Sequence, residues 1–270
     1  MQTSRAFFVG PGKCGTSWLY AFISAHPEVS AGTSKDPGVM LHVAPDIRRY
    51  ESLWSGGGLQ CDFSNTYIFS DIALRNIKAH YPAARVLLTI REPVSRLISQ
   101  YAFMKRNGRF SGGLAQAIEE RPDIVKKCRY ADYGLKWLEE IPAQQLTILN
   151  LETLRKNPST YRKQLCEVLG VSSAVELDVP PAAKLPAAEA RSAIASRLTK
   201  NMADAVRQMG GFRVIESVKR SPLPGLLYKE LPATYQREFV AEVPASLRRE
   251  LGEQYANLLA EARTRGVRIV

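Results

Sequence analysis

Cysteine and histidine are scarce, four and three among 270 residues, and their placement excludes two classes of protein. Cys14, Cys61, Cys128 and Cys166 form no C-x-x-C pair and are too sparse for a disulfide scaffold. His26, His42 and His80 share no metal-ligand spacing with them, so no metal is expected. No apolar run approaches the length that crosses a bilayer, and an apolar segment follows within the first few residues, so no secretory leader is expected. A reducing cytoplasm is therefore the expected compartment. Acidic residues fall short of basic ones, 26 against 37, which leaves a net charge of +11. The arginines and lysines are dispersed, without a basic stretch interleaved with aromatics, so nucleic acid is not the expected partner. A basic cleft for a polyanionic ligand accounts for part of the excess, and an acidic partner such as a sugar chain or an anionic lipid would account for more.

What is present is enough apolar material, 45% of the chain, to bury a full core. Strand-like runs at 6–9, 85–90 and 146–149 alternate with helical periodicity at 16–25, 71–80, 93–106, 130–141 and 158–169. The last of these closes at Gly170, and a loop-rich region covers 27–70. Such alternation predicts an α/β fold of three layers, a central parallel sheet flanked by helices. It reads as one domain over 1–270, with 172–190 an irregular connection and 191–270 mainly helical. Leu247, Leu251, Leu258 and Leu259 mark a final amphipathic helix.

The stretch Phe7-Phe8-Val9-Gly10-Pro11-Gly12-Lys13-Cys14-Gly15-Thr16-Ser17-Trp18 runs from a strand through a glycine-rich turn into a helix. Glycines let backbone N–H groups converge, the helix N-terminus adds partial positive charge and Lys13 adds a full one, so the pattern predicts a phosphate cradle. In the usual nucleoside-triphosphate loop the lysine directly precedes the hydroxyl residue that holds magnesium. Here Lys13 lies inside the turn, ahead of Gly15, Thr16 and Ser17, an order suited to holding phosphate without a metal.

A second segment points to the same ligand. The apolar run Arg85–Ile90 predicts a strand buried on both faces, and Pro93 suits the first turn of the helix that follows. Arg91 then sits at the strand tip. Val94, Leu97, Ile98, Tyr101 and Ala102 recur at helical spacing, which places Ser95, Arg96 and Ser99 on or near the opposite face. Arginine forks onto phosphate oxygens, and a serine hydroxyl adds another bond.

Together the two segments resemble the PAPS-dependent sulfotransferases, in which a K-x-G-T-x-W type loop binds the 5′-phosphosulfate and an R-[DE]-P-x-x-R-x-x-S segment binds the 3′-phosphate. The resemblance extends from about residue 5 through Arg129–Leu138 and Leu149–Leu154 to Leu169-Gly170-Val171. It implies a P-loop-like fold in which Gly12, Lys13, Cys14, Gly15, Thr16 and Ser17 hold the 5′ end of PAPS, with Lys13 near the bridging oxygen. Trp18 would lie against adenine, and Arg91 and Ser99 would bind the 3′-phosphate. Family members often carry a Lys-Glu pair after the first helix, with the glutamate as base. This chain has Lys35-Asp36, one methylene shorter, and His42 is the rival base. Where the family commonly shows Lys-Ser-Pro-x-Tyr, this chain reads Phe63-Ser64-Asn65-Thr66-Tyr67.

The implied reaction moves a sulfuryl group from PAPS to a hydroxyl or amine, releasing PAP by in-line transfer. Two readings stand beside it: a P-loop small-molecule kinase, which would need magnesium, and a non-catalytic nucleotide-binding homologue. Small-molecule, carbohydrate and lipid acceptors all fit. The aromatics Tyr50, Trp54, Phe63, Tyr67, Phe103 and Phe110 are candidate pocket walls, and Gly210–Arg213 with Lys219-Arg220-Ser221 weakly match a basic loop that the family folds over the cofactor.

Overall fold

The computed structural model describes residues 4–175, 188–190, 228–230 and 235–270. Branched and aromatic runs become strands in it wherever both of their faces are covered. Strands β1 (Arg5–Phe8), β2 (Val29–Ser30), β3 (Leu59–Asp62), β4 (Arg85–Ile90), β5 (Leu146–Asn150) and β8 (Arg268–Ile269) form one sheet in the order β2-β3-β1-β4-β5-β8. Every pairing in it is parallel, for example Phe7 against Asp62 on one side and Val86 on the other. Because side chains alternate along a strand, Phe7 points to one face and Ala6 and Phe8 to the other. One face packs Phe7, Val86, Leu88 and Ile148 against α3 (Asp71–His80), α7 (Tyr130–Glu140) and α11 (Ala245–Thr264), whose contributions include Leu74, Trp137 and Leu258. The other packs Phe8, Leu87 and Leu149 against α1 (Thr16–Ala25), α8 (Leu151–Lys156) and α9 (Pro158–Leu169), through Leu19, Ile23, Leu154 and Leu165. Each such side chain, fully buried, contributes about 1.5–3 kcal/mol, so these faces hold the sheet between its helices. The expected three-layer α/β fold with a parallel sheet is the one observed.

The loop-rich region 27–70 carries more order than its composition suggested: β2, β3, a short helix α2 (Ile47–Glu51) and two 3₁₀ turns at Val39–Leu41 and Tyr67–Phe69. The first strand starts one residue early, at Arg5. Further helices α5 (Leu114–Glu120), α6 (Pro122–Lys126) and α10 (Tyr235–Glu242) were not anticipated individually. Residues 188–190, taken as part of an irregular connection, form strand β6 (Ala188–Ala190), antiparallel to β7 (Tyr228–Glu230). The rest of that connection from 176, and the basic segment at 210–221, lie outside the described residues.

Two compact units are present: residues 1–93, 129–183 and 250–270, which contain the six-stranded sheet, and residues 94–128 and 184–249. Within the second unit, Tyr101 on α4 (Pro93–Arg106) lies edge-on to Phe239 at 5.3 Å, and its hydroxyl donates to the Gly112 carbonyl. Arg96, expected on the polar face of α4, is instead 1% exposed. Its Nη1 donates to the Ile124 carbonyl at 3.3 Å and to Cys128 Sγ at 3.1 Å. A buried arginine persists only with such partners, which is why the helical period misplaced it.

Candidate active site

The turn after β1 is shaped by its backbone. A Cβ on Gly10 would lie 2.0 Å from Thr89 Oγ1 and 2.1 Å from the Thr89 carbonyl oxygen, so only glycine lets the chain cross β4 there. Val9 N–H donates to the Leu87 carbonyl at 3.0 Å just before this crossing. Lys13 is left-handed at φ 76°, a conformation uncommon outside glycine, and Gly15, the N-cap of α1, is left-handed at φ 83°. Among the described residues no side-chain cap bond is made at Gly15, and a helix N-terminus left so suits an anion. Gly12 has open space where a Cβ would stand.

Arg91 reaches this turn from the tip of β4. It is 4% exposed, and its Nη1 donates to the Lys13 carbonyl at 3.4 Å. The two motif segments, far apart in sequence, thus meet at the carboxyl ends of adjacent parallel strands, where such sheets bind ligands. Among the other expected residues, Thr16 is buried and Ser17 exposed on the first turn of α1. Cys14 is buried with its Sγ 3.7 Å from Tyr130 Oη, which leaves its backbone as the part that can face a ligand. Trp18 stacks on Phe22 at 5.3 Å and meets Tyr161 edge-on at 6.1 Å, with only 7% of its surface exposed. Those contacts are core contacts, although its Nε1 is buried without a hydrogen-bond partner. Ser99 belongs to the second unit, half-buried on α4.

A second loop stands beside the turn. Lys35 Nζ donates to Ser17 Oγ at 3.1 Å. Asp36, left-handed at φ 65°, accepts from the Asn65 N–H on Oδ1 and from Asn65 Nδ2 on Oδ2, both at 3.0 Å. The carboxylate is exposed and its plane is fixed by two bonds, which suits a base awaiting a substrate proton. His42 is exposed at the end of a 3₁₀ turn, and its carbonyl accepts from Asn76 Nδ2 at 2.8 Å. No contact joins its ring to Asp36 among the described residues.

The loop is tied down from below by a buried acid that sequence reasoning missed. Asp62, 1% exposed at the end of β3, accepts from Ser64 Oγ at 2.6 Å on Oδ1. Its Oδ2 accepts from Tyr50 Oη at 2.8 Å and from Tyr67 Oη at 3.0 Å. Ser64 Oγ in turn accepts from Gly38 N–H, and Tyr67 Oη from Met40 N–H, both at 3.1 Å. Burial pushes the Asp62 carboxyl up to about 6, against the pull of these three hydroxyls. Beneath it, the buried Arg5 guanidinium lies over the rings of Trp54, Tyr81 and Tyr50, 4.2–5.0 Å away, and donates to Glu51. Tyr50, Trp54, Phe63 and Tyr67 are therefore core and network residues, 0–7% exposed, and not pocket walls. His26 is also buried, accepting from Glu28 N–H on Nδ1 and sitting 2.9 Å from the Ser172 carbonyl through Nε2. Among the described residues no three His, Cys, Asp or Glu side chains are placed to hold a metal ion. No described helix is long and apolar enough to cross a membrane.

Residues 3–180 match the model of the family described as the sulfotransferase domain. The chain belongs to that family. Within this sulfotransferase family it is 25% identical over 199 residues to the mouse (Mus musculus) bifunctional heparan sulfate N-deacetylase/N-sulfotransferase 1, covering 64% of this chain and 22% of that protein. It is 26% identical over 183 residues to the human (Homo sapiens) heparan sulfate glucosamine 3-O-sulfotransferase 6, covering 63% of this chain and 53% of that one. The chain thus spans about a fifth to a half of the length of these relatives. Its sulfotransferase fold is shared with the crystal structure of a sulfotransferase from Alicyclobacillus acidocaldarius, with a TM-score of 0.59 and 21% identity over 66% of this chain and 85% of that one.

Proposed function

We propose that the protein transfers a sulfuryl group from PAPS to a hydroxyl or amine and releases PAP. The observation that carries this reading is the bond from Arg91 Nη1 to the Lys13 carbonyl. It sets a buried guanidinium beside an uncapped helix N-terminus, two anion sites for a ligand with phosphate at both its 5′ and 3′ ends. PAPS supplies the activated sulfuryl group and a leaving phosphate. The turn from Gly12 to Ser17 holds the 5′ end, Lys13 stabilises charge growing on the leaving oxygen, and Arg91 holds the 3′-phosphate. Asp36, oriented by Asn65, takes the acceptor proton. The heparan sulfate named for the relatives, together with a net charge of +11, favours an anionic carbohydrate as acceptor.

Calorimetry with PAP, 5′-AMP and ATP, with and without magnesium, tests the cofactor. PAP should bind more tightly than 5′-AMP by about 1.5–3 kcal/mol for each charge-assisted bond to the 3′-phosphate, independently of magnesium. Arg91→Ala should erode that preference and not weaken both ligands alike. Equal affinity of the unmutated protein for PAP and 5′-AMP would refute the assignment. Transfer of label from PAPS to a heparan sulfate chain tests the acceptor class.

A further inference from the structure

Lys35 is a cation placed where its neighbours give it no carboxylate. The adjacent Asp36 spends both carboxylate oxygens on Asn65, and no ion pair to Lys35 is formed among the described residues. The left-handed backbone at Asp36 is the local reason, because it turns two consecutive side chains toward different elements. Lys35 goes to α1, where Nζ donates to Ser17 Oγ at 3.1 Å and stands 5.6 Å from the centre of the Tyr20 ring. Asp36 goes to the segment after β3. Burial disfavours the Lys35 ammonium and lowers its pKa, with the Asp36 charge opposing. A half-buried cation beside the N-terminus of a helix, bonded among the described residues to a neutral hydroxyl, is placed to meet an anion.

Building on the proposed sulfuryl transfer, we infer that Lys35 is a second catalytic lysine, which binds the non-bridging oxygens of the sulfuryl group itself while Lys13 serves the leaving phosphate. Ser17 Oγ marks its distance from the turn, since the group that Ser17 touches lies one hydrogen bond from Lys35 Nζ. In the transfer, Lys35 keeps its proton and donates hydrogen bonds to the sulfuryl oxygens. Meanwhile the acceptor oxygen or nitrogen forms its bond to sulfur, the bond from sulfur to the 5′-phosphate oxygen breaks with its electron pair going to that oxygen, and the acceptor proton passes to the base. The juxtaposition also divides labour within one dipeptide: Lys35 faces the group being moved and Asp36 faces its destination.

PAPS and PAP differ at their 5′ ends by this sulfuryl group, so binding alone isolates the contact. Affinities for both are measured by calorimetry in the unmutated protein and in Lys35→Met, Lys35→Gln and Lys35→Arg, with thermal unfolding to confirm that each variant folds. Lys35→Met and Lys35→Gln should weaken PAPS about tenfold or more while leaving PAP nearly unchanged, and Lys35→Arg should restore most of the difference. Two neutral variants make the test independent of the folding of either one. Equal losses for PAP and PAPS, or no loss for either, would overturn the inference and leave the cofactor site standing. An unmutated protein that bound neither ligand would overturn the cofactor reading as well.

Discussion

The turn from Gly10 to Ser17 and the loop from Ser34 to Met40 both adjoin the carboxyl end of the sheet, yet they are held by opposite means. The turn is a backbone construction: Gly10 passes Thr89 where no Cβ fits, Lys13 and Gly15 are left-handed, and Arg91 binds a carbonyl. The loop is suspended from remote side chains. Asn65 grips Asp36, Ser64 holds Gly38, Tyr67 holds Met40, and Asp62 collects the two hydroxyls beneath. A backbone cradle tolerates changes around it as long as its glycines remain. A suspended loop depends on a buried acid many residues away, and it can alter reach and orientation through small changes in that network. Under the proposed function, the cradle serves the anion and the loop serves the acceptor.

Three experiments probe this contrast, in order of expected effect. On the suspended loop, Asp36→Asn should cut transfer by about 10²–10⁴-fold and spare PAP affinity, because asparagine tolerates the left-handed backbone but cannot accept a proton. His42→Gln should keep most of the rate; the reverse pattern would hand the base to His42, and full activity in both variants would remove the acceptor from this loop. In the cradle, Lys13→Ala should slow single-turnover transfer by about 10²–10³-fold and weaken PAP less, because its charge matters most as the leaving oxygen gains charge. A loss of PAP affinity in full proportion to the rate would make Lys13 a binding residue only.

The third concerns the buried acid. Asp62 titrates at about 6 in the folded protein and near about 4 in an unfolded chain. Below about pH 4 both states are protonated and the ionised carboxylate exacts no cost. Between about 4 and 6 the unfolded chain ionises first, so stability falls as pH rises, and above about 6 the loss levels off at on the order of 3 kcal/mol. Urea midpoints measured from pH 4 to 7 should show this decline in the unmutated protein and a flatter profile in Asp62→Asn. Equal slopes would place the acid's ionisation outside the folding balance.

Legibility in the sequence follows the same division. The strand, turn and helix at 5–25 and the strand and helix at 85–106 could be read locally because glycine, proline and apolar periodicity are local signals, and the parallel sheet followed from their alternation. Strand β3 escaped because Leu-Gln-Cys-Asp looks half polar after three glycines. Asp62 is satisfied in its burial by the hydroxyls of Ser64, Tyr50 and Tyr67, two of which come from outside its own strand and turn. Arg96 escaped for the same reason, its partners being the Ile124 carbonyl and Cys128. The pairing of Lys35 with Ser17 had a sequence signal in the Lys35-Asp36 dipeptide, but only contact with α1 shows that the lysine and the acid face different ways.

Strand β8 bears on how the molecule is made. Arg268 pairs with Thr147 and Ile269 with Ile148, while the Asn150 N–H and the Ile148 carbonyl are taken up by Val270 at 2.7 and 2.8 Å. On the ribosome, β5 emerges long before these residues do, and its outer row of N–H and C=O groups stays open during that interval. An open strand edge on an unfinished sheet is a template for a second nascent chain. The span between residues 147 and 268 also makes this the most distant pairing in the sheet, so its closure should be a late, slow event in folding. Deletion of residues 268–270 would expose that edge permanently, and self-association, more than lost binding, would be its first symptom.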